Sequence, residues 1–307
     1  MQTVLITGGT GMVGKAVTTH LIDKGYKVIV FTRQLPKEKS IITNLEYALW
    51  NVKTQTIDAQ AIRKADHIIH LAGAGVVDKK WTDAYKREIE ISRTESSKLI
   101  VNTLKNNANK VKTVVSASAI GWYGEDTQNG KAFIETDMPE KSFLGRTCQL
   151  WEESIAPVTL LNKRLVKLRT GIVLGKEGGA LAEFKKPIKV GIAGILGDGK
   201  QVVSWIHIDD LCRMYIAAIE NEKLSGSYNA VAPIPVTNET LTLELAKVMK
   251  GKFFIPIHVP NFVLKIMMGE RSVEILKSTT VNCAKIILTG FKFLYPTIAI
   301  ALKQITD

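Results

Sequence analysis

The first fourteen residues constrain the fold of this chain more than any other segment. Residues 3–7 are a short strand-like run, an amphipathic stretch extends to Lys24, and the turn between them is rich in glycine. A strand, a glycine turn and a helix in this order are the context that a dinucleotide fingerprint requires, and the N-terminus of the helix would face the phosphates. The alternative is a glycine turn that only packs a helix on a sheet. The candidate cofactor contacts here are Gly8, Thr10, Gly11, Met12 and Val13.

Composition limits the classes of protein that the chain can belong to. Its 307 residues are 46% hydrophobic and 23% charged, which is ordinary for a globular protein. No apolar run approaches the roughly 20 residues that span a bilayer, so we expect no membrane partner. The strand that starts so close to Met1 leaves no room for a signal peptide. The three cysteines are far apart and lack metal-ligand spacing, which predicts reduced thiols, no metal site and a cytoplasmic location.

The charge balance favours anionic ligands. Forty-one basic and 29 acidic residues give a net charge of +12, which raises the local concentration of phosphorylated cofactors or acidic substrates. The lysines are scattered, and no basic run is interleaved with aromatic residues as in single-strand binders. We therefore expect a small-molecule substrate, a generally basic surface and no nucleic-acid partner.

Strand and helix patterns alternate through the first 170 residues. Strands are predicted at 3–7, 27–31, 44–49, 67–71, 111–116 and 165–168, with helices at 59–64, 81–106 and 143–155 among them. This alternation predicts right-handed βαβ units, and hence an α/β fold with a Rossmann-type, doubly wound parallel sheet. Ligands bind such sheets beyond the carboxyl ends of the strands, where the strand order switches.

The pattern loosens after Gly175. A helical piece at 180–186, a strand at 202–207 and a helix at 209–220 precede a region of short elements that begins at Pro233. We predict a dinucleotide-binding domain of residues 1–174 with 202–232. Residues 175–201 with 233–307 are predicted to form a smaller α/β C-terminal lobe that binds the substrate.

The end of the second strand indicates which dinucleotide is bound. Enzymes that use NAD usually carry Asp or Glu there to hold the ribose 2′-hydroxyl, whereas this chain reads Thr32-Arg33, with Lys37 and Lys39 nearby. An arginine suits a 2′-phosphate by its charge and by its forked donor geometry. The sequence therefore predicts NADP(H), with Thr32 and Arg33 as contacts; a surface arginine in a loop is the alternative.

At this point the chain resembles the extended and atypical short-chain dehydrogenases/reductases, the NAD(P)-dependent epimerase/dehydratase family. The resemblance rests on the glycine turn and on four further segments: Asp66–Gly73, Val115–Gly124, Arg169–Leu174 and Trp205–Asp210. More narrowly, the chain is similar to a subfamily of uncharacterised epimerase-like proteins, whose bacterial members are often labelled cell division inhibitor. The pieces that carry this narrower similarity are Ser92-Arg93, Trp151-Glu152, Gly178-Gly179 and the region from about Pro256. Residues 278–285 lack the glutamine- and proline-containing pattern of the family.

The resemblance implies further cofactor contacts. Leu71, Ala72 and Gly73 would line the pyrophosphate and the nicotinamide ribose, and Glu88 and Arg93 of the long helix would face the cofactor. Two long helices form a dimer interface in relatives, which implies a homodimer by analogy.

The catalytic residues are where the chain departs from the family. Its hydride-transfer enzymes use a Tyr-x-x-x-Lys pair on a helix, in which the ammonium group lowers the pKa of the tyrosine. No tyrosine of this chain has a lysine four residues later, and the corresponding helix reads Ser142-Phe-Leu-Gly-Arg-Thr-Cys148. Ser118 stands where the family keeps a serine that hydrogen-bonds the reacting group, unless it only caps a loop.

Two other residues could move a proton. Tyr123 is the nearest replacement donor, although the corresponding tyrosine is usually a packing residue in the family. His207 is either an acid/base or a structural residue that leads into a helix cap at Asp209. Two functions remain open: an NADP(H)-dependent oxidoreductase or epimerase-like enzyme, and a catalytically silent NADPH-binding regulator with a link to cell division.

Overall fold

The structure is a computed structural model that describes residues 1–38, 41–127 and 129–306, so Lys39 lies outside the described residues. Its strands are β1 (Thr3–Thr7), β2 (Lys27–Thr32), β3 (Leu45–Asn51), β4 (Thr56–Ile57), β5 (His67–His70), β6 (Thr113–Ala119), β7 (Arg164–Thr170), β8 (Ile172–Leu174), β9 (Ile192–Leu196), β10 (Val202–Val203), β11 (Trp205–His207), β12 (Gly226–Ala230), β13 (Val236–Thr237) and β14 (Ile255–Val259). Its α-helices are α1 (Met12–Asp23), α2 (Ala59–Lys64), α3 (Asp83–Asn106), α4 (Phe143–Ile155), α5 (Gly179–Lys189), α6 (Ile208–Glu220), α7 (Asn238–Lys250), α8 (Asn261–Met268), α9 (Ser272–Leu276), α10 (Ala284–Ile287) and α11 (Ile298–Thr306).

The main sheet confirms the predicted Rossmann-type fold. Its strand order in the described chain is β12-β7-β6-β5-β1-β2-β3-β4, and every neighbouring pair is parallel except β3 with β4. The central strands are apolar and buried on both faces, as strands of a sheet covered by helices on both sides must be. The chain first adds β2, β3 and β4 on one side of β1 and later adds β5, β6 and β7 on the other side. The strand order therefore switches at β1, beside the glycine turn.

Two apolar clusters hold the helices on this sheet. One contains Val17 and Leu21 of α1 together with α6, and the other contains α2, α3 and the opposite face of β1. Nearly every side chain in both clusters is fully buried, so burial of apolar surface on both faces is the main force that fixes the layers. The carboxyl ends of β1, β5 and β6 therefore meet at one edge of the sheet.

Two details differ from the sequence prediction. The strand expected at 202–207 is split into β10 and β11, which pair with β13 and β8 outside the main sheet. Strand β12 was not predicted, because Gly-Ser-Tyr-Asn-Ala lacks an apolar run; it nevertheless extends the main sheet beside β7. Its buried Asn229 is tolerated because its side chain is hydrogen-bonded.

A third apolar cluster holds a smaller unit together. It is built mainly from α5, α7 and α11, and it also includes Leu174, Trp205 and Ala232. In contrast, Val281, Cys283 and Ile286 pack with the first cluster of the main sheet. The predicted domain boundaries remain a prediction. Within the described residues, no helix is both long and apolar enough to cross a membrane.

Candidate functional site

The glycine turn between β1 and α1 has the shape of a phosphate cradle. Gly8 has a φ of +69°, and a Cβ there would lie 2.9 Å from the carbonyl carbon of Leu71. A Cβ on Gly14 would collide with Gly8 and Gly9, so helix and turn are in direct contact. Gly11 differs, because a Cβ there would meet only the Gly8 carbonyl oxygen, at 3.4 Å. The turn is thus packed on the protein side and open at the N-terminus of α1, which fits a dinucleotide pyrophosphate.

A buried threonine–histidine pair joins the glycine turn to the end of β5. The Thr7 hydroxyl lies 2.7 Å from His70 Nδ1 and accepts the backbone N–H groups of Leu71 at 3.2 Å and Ala72 at 3.3 Å. Burial lowers the pKa of His70 to about 3, so its ring is neutral. The pair holds the predicted contacts Leu71 and Ala72 against Gly8. Sequence reasoning missed this pair, although its members are the polar residues that end the apolar strands β1 and β5.

The end of β2 presents Arg33 to solvent. The Thr32 hydroxyl donates to the Gln34 carbonyl oxygen at 2.8 Å and accepts the Gln34 N–H at 3.3 Å, which fixes the turn after the strand. Arg33 is exposed, and no described residue forms an ion pair with its guanidinium group. Because β2 lies next to β1, Arg33 stands beside the glycine turn, and among the described residues none accepts a hydrogen bond from its guanidinium group.

Helix α3 places Arg93 at the site and Glu88 away from it. The Arg93 guanidinium donates to the carbonyl oxygen of Ala74 at 3.0 Å, and a Cβ on Gly73 would lie 3.1 Å from its side chain. Glu88 is exposed and faces Lys79 at 3.5 Å. Five residues along a helix turn the side chain by about 140°, so the structure does not bring the two together. A cofactor contact of Glu88 remains a prediction without support from this geometry.

Ser118 belongs to a buried charged cluster. Its hydroxyl donates to Glu152 Oε1 at 2.8 Å, and the Glu152 carboxylate also accepts from Arg169 Nε at 2.8 Å and Lys167 Nζ at 2.9 Å. Burial raises the pKa of Glu152, but hydrogen bonds and charge from Arg169 and then Lys167 outweigh it and lower the pKa overall. The carboxylate is therefore ionised at neutral pH. Sequence reasoning noted Glu152 and Arg169 only as part of the resemblance and assigned them no role.

Tyr123 lies in the same cluster and is fully buried. Its hydroxyl donates to Asn229 Oδ1 at 2.7 Å and accepts from Arg169 Nη1 at 3.0 Å. Burial raises its pKa to about 12 despite the nearby arginine, so the phenol keeps its proton at neutral pH. Arg169 also lies flat on Trp122, with its Cζ atom 3.6 Å from the ring centroid. Arg169 therefore brings Ser118 and Tyr123 into one network, in which Tyr123 has no exposed surface.

Helix α4 carries no acid/base pair. Its first turn contains Phe143, which packs edge-on against Trp81 with the ring centroids 5.0 Å apart, and Thr147, whose hydroxyl donates to the Phe143 carbonyl oxygen. Cys148, one position on, is buried, and burial raises its pKa to about 12, so it is a neutral thiol.

His207 caps a helix. Its Nδ1 accepts the Asp209 N–H at 3.1 Å at the start of α6, and its Nε2 lies 2.9 Å from Gln304 Oε1. Burial lowers the pKa of this fully buried ring. Of the two roles left open by the sequence, the geometry matches the structural one.

The smaller unit reaches back over this edge of the sheet. Arg271 Nη1 donates to the Val77 carbonyl oxygen at 2.6 Å, and Glu270 forms an ion pair with Lys86 of α3. Near α1, a Cβ on Gly179 would lie 3.2 Å from the Met12 side chain. Met12, one of the predicted cofactor contacts, therefore lies where the two units meet.

Comparison with known proteins adds to this geometry. A model described as the NAD dependent epimerase/dehydratase family matches residues 4–231, and a domain of unknown function (DUF1731) matches residues 259–305. An epimerase family protein of Staphylococcus saprophyticus is 33% identical over 307 residues, covering 99% of each chain. The epimerase family protein YfhF of Bacillus subtilis is 32% identical over 303 residues, covering 98% of this chain and 97% of its own.

A solved structure is similar over the whole chain. The human epimerase family protein SDR39U1 (isoform 2), determined with NADPH, superposes with a TM-score of 0.86 at 25% identity and covers 99% of both chains. The similarity thus includes both the Rossmann part and the smaller unit.

Proposed function

The chain belongs to the NAD dependent epimerase/dehydratase family, and on that premise we propose that it is an NADP(H)-dependent oxidoreductase or epimerase-like enzyme acting on a small carbonyl or hydroxyl compound. The observation that carries the proposal is the glycine turn. It is tightly packed against the protein at Gly8, Gly9 and Gly14 and open at Gly11, where α1 begins. The similar human protein was solved with NADPH, which supports the same cofactor class here. The bound nicotinamide would supply or accept a hydride.

In this proposal each part of the chain has a separate task. Residues 8–13 hold the pyrophosphate through backbone N–H groups, and Arg33 holds the 2′-phosphate. The Thr7–His70 pair fixes Leu71 to Gly73 beside the cofactor. Ser118 donates a hydrogen bond to the reacting oxygen of the substrate, which lies between the two units.

Replacing Arg33 tests the choice of dinucleotide. Arg33→Ala should weaken NADPH binding by about tenfold to 100-fold, because a charge-assisted contact to the 2′-phosphate is lost. NADH lacks that phosphate, so its affinity should stay within about twofold. Fluorescence titration with both nucleotides measures the two dissociation constants, with Arg63→Ala, another exposed arginine, as the control. An equal loss for both nucleotides would refute the 2′-phosphate assignment.

Replacing Gly11 tests the cradle itself. Gly11 has a φ of −77°, which alanine adopts without strain, and the added Cβ would meet only the Gly8 carbonyl oxygen, at 3.4 Å. Gly11→Ala should therefore fold with unchanged or slightly higher stability, yet bind NADPH at least about tenfold more weakly. Gly194→Ala is the control, because Gly194 is not among the glycines with a positive φ, its added Cβ would meet only Val259 at 3.8 Å, and it lies in β9 of the smaller unit. Unchanged NADPH affinity in Gly11→Ala would contradict the cradle.

The enzymatic part of the proposal has its own test. The purified protein is loaded with NADPH, and nicotinamide fluorescence is followed while a panel of aldehydes, ketones and nucleotide 4-keto-sugars is added. Oxidation by one class of compound would establish an enzyme and identify the substrate class. Tight binding without any oxidation would refute the oxidoreductase proposal for those classes.

A second function is favoured by one observation: the chain lacks an acid/base pair on α4, and the hydroxyls of Ser118 and Tyr123 already have partners inside the protein. In this alternative the protein binds NADPH as a regulatory ligand, and the redox state of the bound nucleotide changes its affinity for a partner protein. The cell-division label of relatives would suggest such a role. NADPH and NADP⁺ should then differ in their effect on the melting temperature or on partner capture. Identical effects would argue against it.

A further inference from the structure

The smaller unit exposes an apolar surface that the proposed function does not use. Strands β9 and β14 pair in parallel, with Ile192 opposite Ile255. On the other face Ala193 and Ile195 of β9 are buried, whereas β14 is exposed on both faces. On the outer face five large apolar side chains are 38 to 86% exposed. They are Val190, Ile192, Phe253, Ile255 and Ile257, here called the β9–β14 face.

This concentration of exposed apolar groups is unusual for a soluble unit of this size. Phe253 is 86% exposed and Val190 76%, and the Ile255 N–H donates to the Gly191 carbonyl oxygen, so the two ends of the face are adjacent. The following helix, α8, adds Phe262 and Ile266, which are 65 and 75% exposed. Contiguous exposed apolar surface marks an interaction site.

The charges around the face are mostly positive. Residues 183–198 and 244–270 contain seven lysines and four acidic residues, and two of these acids, Glu183 and Glu244, form ion pairs with Lys186 and Lys247. Within the described part of the chain, Lys189, Lys250 and Lys252 form no ion pair, and each lies within three residues of Phe253 or Val190. Burial and then the neighbouring charges of Lys176 and Lys189 lower the pKa of Lys185, as expected where positive charge is not compensated.

The exposed apolar side chains and the unpaired lysines together indicate the chemistry of the partner. A second copy of this chain would place like charges opposite each other, and a neutral apolar partner would leave the lysines without a counterpart. An anionic lipid surface receives apolar side chains at the level of its headgroups and attracts lysines at the same time. We propose that the β9–β14 face binds the surface of membranes that contain anionic lipids, without any segment crossing the bilayer. This proposal differs from the sequence-based expectation that the chain has no membrane partner.

Vesicle sedimentation with the full chain tests this proposal. The chain should sediment with phosphatidylcholine vesicles that contain about 30% phosphatidylserine and stay in solution with phosphatidylcholine alone. Raising the salt to about 0.5 M should weaken the binding, since the lysine contribution is screened.

Matched variants separate the contribution of the lysines to vesicle binding from that of the apolar side chains. Lys250→Gln with Lys252→Gln should lower vesicle affinity on the order of 25-fold, about fivefold for each lysine, and Phe253→Ser with Ile255→Ser should lower it at least as much. The controls are Lys53→Gln with Lys131→Gln, and Leu160→Ser, whose side chain is 83% exposed on the Rossmann part. Circular dichroism checks that each variant is folded.

Three results would overturn the proposal. The first is absence of sedimentation with either kind of vesicle. The second is equal loss of binding in the control variants, which would place the contact elsewhere. The third is a wild-type dimer that Phe253→Ser with Ile255→Ser converts to a monomer while vesicle binding is unchanged, which would show that a second copy covers the face. NADPH affinity is unaffected in each case, so the outcome is independent of the proposed function.

Discussion

Glu152→Gln is expected to lower the free energy of unfolding by about 3–5 kcal/mol, because it breaks a buried ion pair. The carboxylate is 3% exposed and is the shared counter-charge of Arg169 and Lys167, whose side chains are 4 and 19% exposed. Glutamine keeps the shape but leaves two cations without a counter-charge in a buried site. Thermal unfolding should shift down by about 10 °C. The neighbouring exposed residue gives the control, because Glu153→Gln changes the same charge on the same helix.

The pH dependence distinguishes loss of the ion pair from a packing defect. The pKa of Glu152 is lower in the folded protein than its ordinary value of 4.5, because hydrogen bonds and charge from Arg169 outweigh burial. Its contribution to stability is therefore complete above pH 4.5 and is lost as the pH falls through the lower, folded pKa. The difference in stability between wild type and Glu152→Gln should shrink as the solution is acidified over that range. A difference that stays constant with pH would mean that the variant only disturbs packing.

The fold could be predicted from sequence because its signals are local. Each central strand is a short apolar run bounded by glycine or polar residues, and each helix between them has its own periodicity, so alternation alone gave the parallel sheet. Strand β12 could not be found in this way, because Gly-Ser-Tyr-Asn-Ala has no pattern of its own and is a strand only because β7 offers an edge. Residues 202–207 form one run in the sequence, and only the separate pairing of β10 with β13 and of β11 with β8 divides it into two strands.

The candidate site was predictable only where one segment forms it. The glycine turn is contiguous in the chain, so its contacts could be named from spacing. The Glu152 cluster joins α4, β6 and β7, and no rule of spacing links residues that lie 17 and 34 positions apart. Glu88 shows a limit of reasoning from the resemblance. Its role is implied only by its position in the family, whereas its exposed side chain faces Lys79 and is turned away from Arg93 by the helical rotation between them. A cofactor contact of Glu88 therefore remains a prediction. Long-range polar networks therefore have to be read from the structure.

The proposed role of Ser118 rests on that network. Its hydroxyl donates a hydrogen bond to Glu152 Oε1 at 2.8 Å, so it is aligned by a carboxylate that Arg169 and Lys167 keep ionised. Because the hydroxyl has a single hydrogen, it would have to turn from Glu152 to a substrate oxygen and return after the reaction. In the proposed enzyme this arrangement would stand in for the absent tyrosine–lysine pair, with Glu152 as a positioning residue.

Ser118→Ala should therefore lower kcat by about 100-fold or more with the substrate that the carbonyl panel identifies, and leave NADPH affinity unchanged. The hydroxyl is lost at the reacting oxygen, while the glycine turn and Arg33 are untouched. Ser116→Ala is the matched control, because Ser116 is equally buried on the same strand but donates only to the carbonyl oxygen of Ala117. Stopped-flow measurement of a single turnover separates the chemical step from product release. Wild-type turnover in Ser118→Ala would exclude the serine, and equal losses in both variants would mean that β6 has been disturbed rather than a catalytic group removed.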